Sequence, residues 1–81
     1  MKNKIIKIIN ETPGITFQEI CKKTSLTKGS ISIYLNYLEK ERLIFKKYNL
    51  LTLKLHPTKQ GKDLYLKLKL EEITSNNNNI L

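Results

Sequence analysis

Ile5, Ile8 and Ile9 recur at helical spacing with Ile6 on their flank, and Lys4 and Lys7 lie on the other side. The pattern predicts an amphipathic helix over residues 3–11 that ends at Pro13 and Gly14. Thr16 followed by Glu19 forms a capping-box spacing, so a second helix is expected after Thr16, turning Phe17, Ile20 and Cys21 inward. The pattern breaks between Thr24 and Leu26, and Thr27 caps a third helix running to about Glu41, with Leu26, Ile31, Leu35 and Leu38 on its apolar side. Beyond it the period shortens to two. Leu51, Leu53 and Leu55 alternate with Thr52, Lys54 and His56, which predicts a strand, paired with an earlier strand at Leu43 to Lys47 through a turn around Tyr48 and Asn49. Pro57 stops the second strand and Thr58 caps a final helix beginning near Lys59. The order is three helices, a hairpin and a helix. This is an α+β, mainly α, domain over residues 1–74, followed by an Asn-rich tail over 75–81 that is expected to be frayed or disordered.

The final helix carries two apolar stripes, Leu64 with Leu68 and, nearly opposite, Leu66, Leu70 and Ile73. One small core does not cover both. The second stripe is therefore expected to meet a second copy of the chain, with Ile5, Ile6 and Ile9 of the first helix joining Leu66, Leu70 and Ile73 in the interface. In the alternative, the first helix folds across that stripe within one monomer.

Charge narrows the choice of partner. Fifteen Lys and Arg against seven Asp and Glu leave a formal charge of +8, which favours a polyanion. Fourteen of the fifteen cations are lysines, which suit phosphate contact better than the bidentate reading of guanine. On the third helix, Lys28, Ser32 and Asn36 share a face that is small, polar and basic, the composition needed for close approach to a DNA major groove. Cys21 is the single cysteine, so no intramolecular disulfide forms, and packing accounts for it. His56 stands alone at a strand end. No paired-carboxylate cleft, nucleophile with a base, Gly-rich phosphate loop or metal-ligand cluster is present, so neither catalysis nor a cofactor is expected. The first ten residues are interrupted by charge and too short to span a bilayer, and an intracellular, nucleoid-associated location is expected.

Leu26-Thr27-Lys28-Gly29-Ser30-Ile31-Ser32, followed by Leu35, Leu38-Glu39-Lys40 and Leu43-Ile44, together with Leu55 to Gly61 and Leu64, resembles the winged helix-turn-helix transcriptional regulators of the broad class that includes the MarR, ArsR and PadR families. The likeness runs from about Lys4 to Leu70. It implies a recognition helix from Lys28 to about Glu41 in the major groove of double-stranded DNA and a β-hairpin wing touching the adjacent backbone or minor groove, the missing tip arginine favouring phosphate contact. Ser32 and Asn36 then face base edges, Asn36 suiting adenine, and Ile33 suits a thymine methyl, which together favour an A·T-rich site. Thr27, Lys28, Ser30 and Tyr37 fall where phosphate contacts fix register, as do Thr16 and Gln18 at the start of the second helix. Lys46, Lys47, Tyr48 and Asn49 form the expected wing tip. Two features depart from the pattern: the wing lacks a tip arginine, and Arg42 stands where Gly commonly ends the recognition helix.

The reading is therefore a homodimeric, sequence-specific DNA-binding regulator of transcription. Its rivals are a nonspecific, chromatin-like nucleic-acid-binding protein, for which the lysine excess suffices, and a protein-interaction adaptor on the same fold. A membrane-surface role is more distant, because basic and apolar residues are spread over several short elements.

Overall fold

A computed structural model describes residues 1–80, with side chains through Thr74. The elements are α1 (Lys2–Glu11), β1 (Ile15–Thr16), α2 (Phe17–Thr24), α3 (Lys28–Lys40), β2 (Ile44–Asn49), β3 (Thr52–Pro57) and α4 (Lys59–Ile80). The expected tail at 75–81 lies outside the described side chains. No helix among the described residues is long and apolar enough to cross a membrane.

Three of the four helices, α2, α3 and α4, start where a threonine holds a free N–H group, whereas α1 begins after Met1 without a side-chain cap. Thr16 Oγ1 accepts from the Glu19 N–H at 3.2 Å, and Glu19 Oε1 accepts from the Thr16 N–H and hydroxyl, completing the capping box of α2. Thr27 Oγ1 accepts from the Ser30 N–H and starts α3. Thr58 Oγ1 accepts from the Gly61 N–H and donates to the Arg42 carbonyl, so the cap of α4 also ties it to the end of α3. Gly61 is required there: a Cβ would lie 2.0 Å from the Leu43 carbonyl oxygen.

The end of α3 explains Arg42. Leu43 N–H returns to the Leu38 carbonyl and Arg42 N–H to that of Glu39, a Schellman closure whose C′ residue must be left-handed. Arg42 adopts φ 61, so the backbone is the one glycine favours, held by a residue that pays roughly 1–2 kcal/mol for it.

The sheet has three antiparallel strands in the order β1-β3-β2. Two of them form the expected hairpin. The third, β1, is new: Ile15 pairs with Leu55 and Thr16 with Lys54, and the Gly14 N–H donates to the Leu55 carbonyl. Two residues are too short to carry a period, and it is the pairing itself that makes them a strand. The hairpin turn also sits later than expected. Asn49 pairs with Thr52, which leaves Leu50 and Leu51 as a two-residue loop, and the positive φ falls on Leu50 (57°), not on Asn49.

The core joins Ile5, Ile6 and Ile9 of α1 to Ile15, Ile20, Ile31, Leu35, Leu38, Ile44 and Leu55. This corrects the expected interface, since Ile5, Ile6 and Ile9 are each 0 % exposed and belong to the monomer's own interior. The cause is that α1 packs against α3, β3 and α4 together, so adjacent side chains as well as those one turn apart find apolar cover. On α4, Leu64 and Tyr65 lean on this core, whereas Leu66, Leu70 and Ile73 remain more than half exposed. Lys7 of α1 pairs with Glu72 of α4 at 2.9 Å, and Tyr65 donates to Glu11, which holds α1 along one side of α4 and leaves the second stripe bare.

Candidate nucleic-acid interface

The buried side of α3 is formed by Ile31, Leu35 and Leu38, which leaves Lys28, Gly29, Ser32, Ile33, Asn36 and Lys40 in solvent. Ile33 is 71 % exposed, so it does not pack beneath the hairpin. Two members of this strip escaped the sequence reading. Lys40 follows Asn36 by one helical turn and adds a cation to the far end. Gly29 has nothing within 4 Å of where its Cβ would stand, so the described packing does not demand glycine there, and the helix backbone is open to solvent at that point. Both were within reach of the 3.6-residue period that selected Lys28, Ser32 and Asn36.

The wing residues divide into two groups. Lys46 lies on the inner face of β2 with only 16 % of its side chain exposed; it donates to Asn36 Oδ1 and stands 3.6 Å from Glu39. It therefore fastens the wing root to α3 rather than presenting a free charge at the tip, contrary to its expected place. Its bond also orients Asn36: the carbonyl faces Lys46 and the amide NH2 is left to donate outward. Lys47 is exposed on the outer face, directly opposite Lys54 of β3, and Tyr48 is 71 % exposed. Beyond them the tip consists of Leu50 and Leu51, 96 % and 103 % exposed.

The start of α2 completes the surface. Gln18 is free in solvent, while the Thr16 hydroxyl is already committed to Glu19. That hydroxyl and the backbone N–H hold the Glu19 carboxyl below the usual carboxylate range. The Thr27 and Ser30 hydroxyls bond one another at 3.1 Å, and Tyr37 lies beneath the Lys2 ammonium, 4.9 Å from its ring centroid, on the side of α3 turned toward α1. A cleft of about 530 Å³ lined by Thr16, Phe17, Gln18, Ser32, Leu51, Thr52 and Leu53 joins the α2 start, the exposed strip of α3 and the wing tip into one concave surface. His56 is elsewhere, its ring stacked on Phe45 with centroids 5.1 Å apart. Among the described residues no group of three or more His, Cys, Asp or Glu is placed to hold a metal ion.

The fold is that of MarR-type transcriptional regulators. The structure matches FabT of Streptococcus pneumoniae, solved in complex with DNA, with a TM-score of 0.89 at 23 % identity over 98 % of this chain and 57 % of that one. It matches a MarR-family regulator from Listeria monocytogenes, solved with a 26mer DNA, with a TM-score of 0.84 at 28 % identity over 93 % and 52 %. MepR, a regulator of the Staphylococcus aureus efflux pump MepA, gives a TM-score of 0.83 at 19 % identity over 99 % and 63 %. The chain thus spans a little over half the length of the solved structures it resembles. No curated protein matches it by sequence. Residues 2–44, from α1 through the start of β2, match the model of winged helix-turn-helix DNA-binding domains, and with α3 uncovered and a wing beside it the chain belongs to that family.

Proposed function

We propose that this protein is a sequence-specific regulator of transcription that binds double-stranded DNA as a homodimer, with α3 in the major groove and the wing on the flanking backbone. The observation that carries the reading is the uncovered strip of α3, continuous through one cleft with the α2 start and the wing tip. Short side chains and Gly29 at its leading end suit close approach to base edges. Ser32, Ile33 and Asn36 are assigned to bases, while Lys28, Ser30, Thr27, Gln18, Tyr37, Lys47, Tyr48 and the backbone beside Thr16 are assigned to phosphates that fix register. With its carbonyl facing Lys46, Asn36 offers donors to purine N7, guanine O6 or thymine O4. A preference for A·T pairs then rests on Ile33 and a thymine methyl rather than on a bidentate adenine contact.

The homodimer is supported by Leu66, Leu70 and Ile73, an exposed apolar row at spacings of four and three residues along α4. Two heads joined this way reach major grooves about 34–36 Å apart, one helical turn. No catalytic role is proposed, and an intracellular, nucleoid-associated location accompanies a protein that acts on duplex DNA. The test is selection of bound duplexes from a random pool, followed by competition with unrelated DNA. Enrichment of a two-fold-related sequence that unrelated duplex displaces poorly is expected. Equal displacement by any duplex would leave a nonspecific binder, and no binding would leave an adaptor.

A further inference from the structure

The wing ends in two leucines with almost their whole surface in water, and the first of them holds a positive φ that glycine or asparagine adopts more readily. Neither solubility nor turn chemistry favours Leu50 and Leu51 at that place, so the pair invites a functional account. We propose that the wing tip is an apolar wedge that enters the minor groove of the bound duplex and bends it, a proposal that rests on the DNA-binding reading above.

Three observations select duplex DNA as the occupant. Leu51 lines the same cleft as Ser32 and Gln18, so the tip belongs to the surface that carries the exposed strip of α3. Lys47 and Lys54 stand opposite each other across the ribbon, three residues back from Leu50 and Leu51 respectively, a pair of like charges that is relieved by phosphates on either side of an inserted tip. The dimensions agree as well. Paired strands about 4.8 Å apart, with their side chains, are too broad for a minor groove about 6 Å wide, whereas two side chains at a two-residue turn can enter it alone. Aliphatic side chains pressed against base steps unstack them and open the minor groove, bending the duplex toward the major groove. The wedge reads deformability rather than hydrogen bonds, and it favours a pyrimidine–purine step at the position the tip reaches.

The experiment uses the full chain, a duplex selected from the random pool, end-to-end energy transfer to read the bend, and 2-aminopurine placed at successive steps to read unstacking. Wild type is expected to bend the duplex and brighten one step in each half-site, outside the α3 contact. The double variant Leu50→Asn, Leu51→Ser keeps a turn-compatible residue at the positive φ, and its fold is checked by thermal melting. It is expected to lose the bend and the brightening and to bind roughly tenfold more weakly, with an unchanged salt slope. Lys47→Ala is expected to do the reverse, keeping the bend while reducing the salt slope. A wild type that binds but leaves the duplex straight, or a double variant that bends it as before, overturns the wedge and spares the DNA-binding reading. A double variant altered only in self-association, or only in binding to anionic vesicles, overturns it in favour of a second copy or a lipid surface. Wild type that binds no duplex overturns both.

Discussion

Gly29 and Asn36 lie seven residues apart, two turns of α3, and fix what its exposed strip can do. At Gly29 a methyl group would enter open space, so Gly29→Ala is expected to raise stability by about 0.5–1 kcal/mol through helix propensity while weakening DNA binding, because the helix backbone can no longer approach as closely. Paired melting and titration curves check this; a stabilised variant with unchanged affinity would show that nothing comes near that position. Asn36 and Lys46 act together and Lys47 acts alone. Lys47→Ala should weaken binding alike on all sequences and reduce the salt slope by about one for each bound subunit. Asn36→Ala should relax preference at particular bases by about 1–3 kcal/mol. Lys46→Ala, which frees the Asn36 amide to turn, should alter which base is preferred more than it alters the salt slope. Affinities on a panel of single-base variants at several salt concentrations separate the three.

Among the elements, α2 is fixed by a bond that titrates. Thr16 holds the Glu19 carboxyl below its ordinary pKa, and Lys7, by hydrogen bond and charge, does the same for Glu72. A depressed carboxyl contributes stability that is fully present above its unfolded pKa, about 4.3, and is lost as pH falls through the folded value. Lys7 is raised by the same Glu72 bond, so its contribution is present below its unfolded pKa, about 10.4, and is lost as pH rises through the folded value. These groups are solvent-exposed and the amplitudes are small. Urea midpoints measured from pH 6 to pH 2 should fall across the carboxylate range, and Glu19→Gln should flatten part of that fall; an unchanged profile would remove Glu19 from it. The three threonine caps were readable in the sequence because each bond spans three residues. The positions of β1 and of the hairpin turn were not, because both depend on pairing with Leu55 and Thr52, at a distance that no local period records. Ile5, Ile6 and Ile9 were recognised as apolar but given the wrong neighbour, since their cover comes from three elements remote in sequence.

At the scale of the whole molecule, α4 runs for 22 residues, about 33 Å, and its bare row of Leu66, Leu70 and Ile73 sets the expected assembly. Leu66→Lys or Leu70→Lys should yield monomers in sedimentation and lose the preference for two-fold-related sites, with the fold of each head retained because neither residue belongs to the core; an unchanged mass would reject this interface. The sheet has a mechanical consequence of its own. β1 grips β3 only at Lys54 and Leu55, and Lys46 pins the root of β2 to α3, so the ribbon is clamped at its base and two-stranded from Leu53 outward. A ribbon held in this way is a diving board, braced where it leaves the body and unbraced at its free end; if α3 seats in a groove as proposed, duplexes of different groove width are expected to be met by flexing at that end.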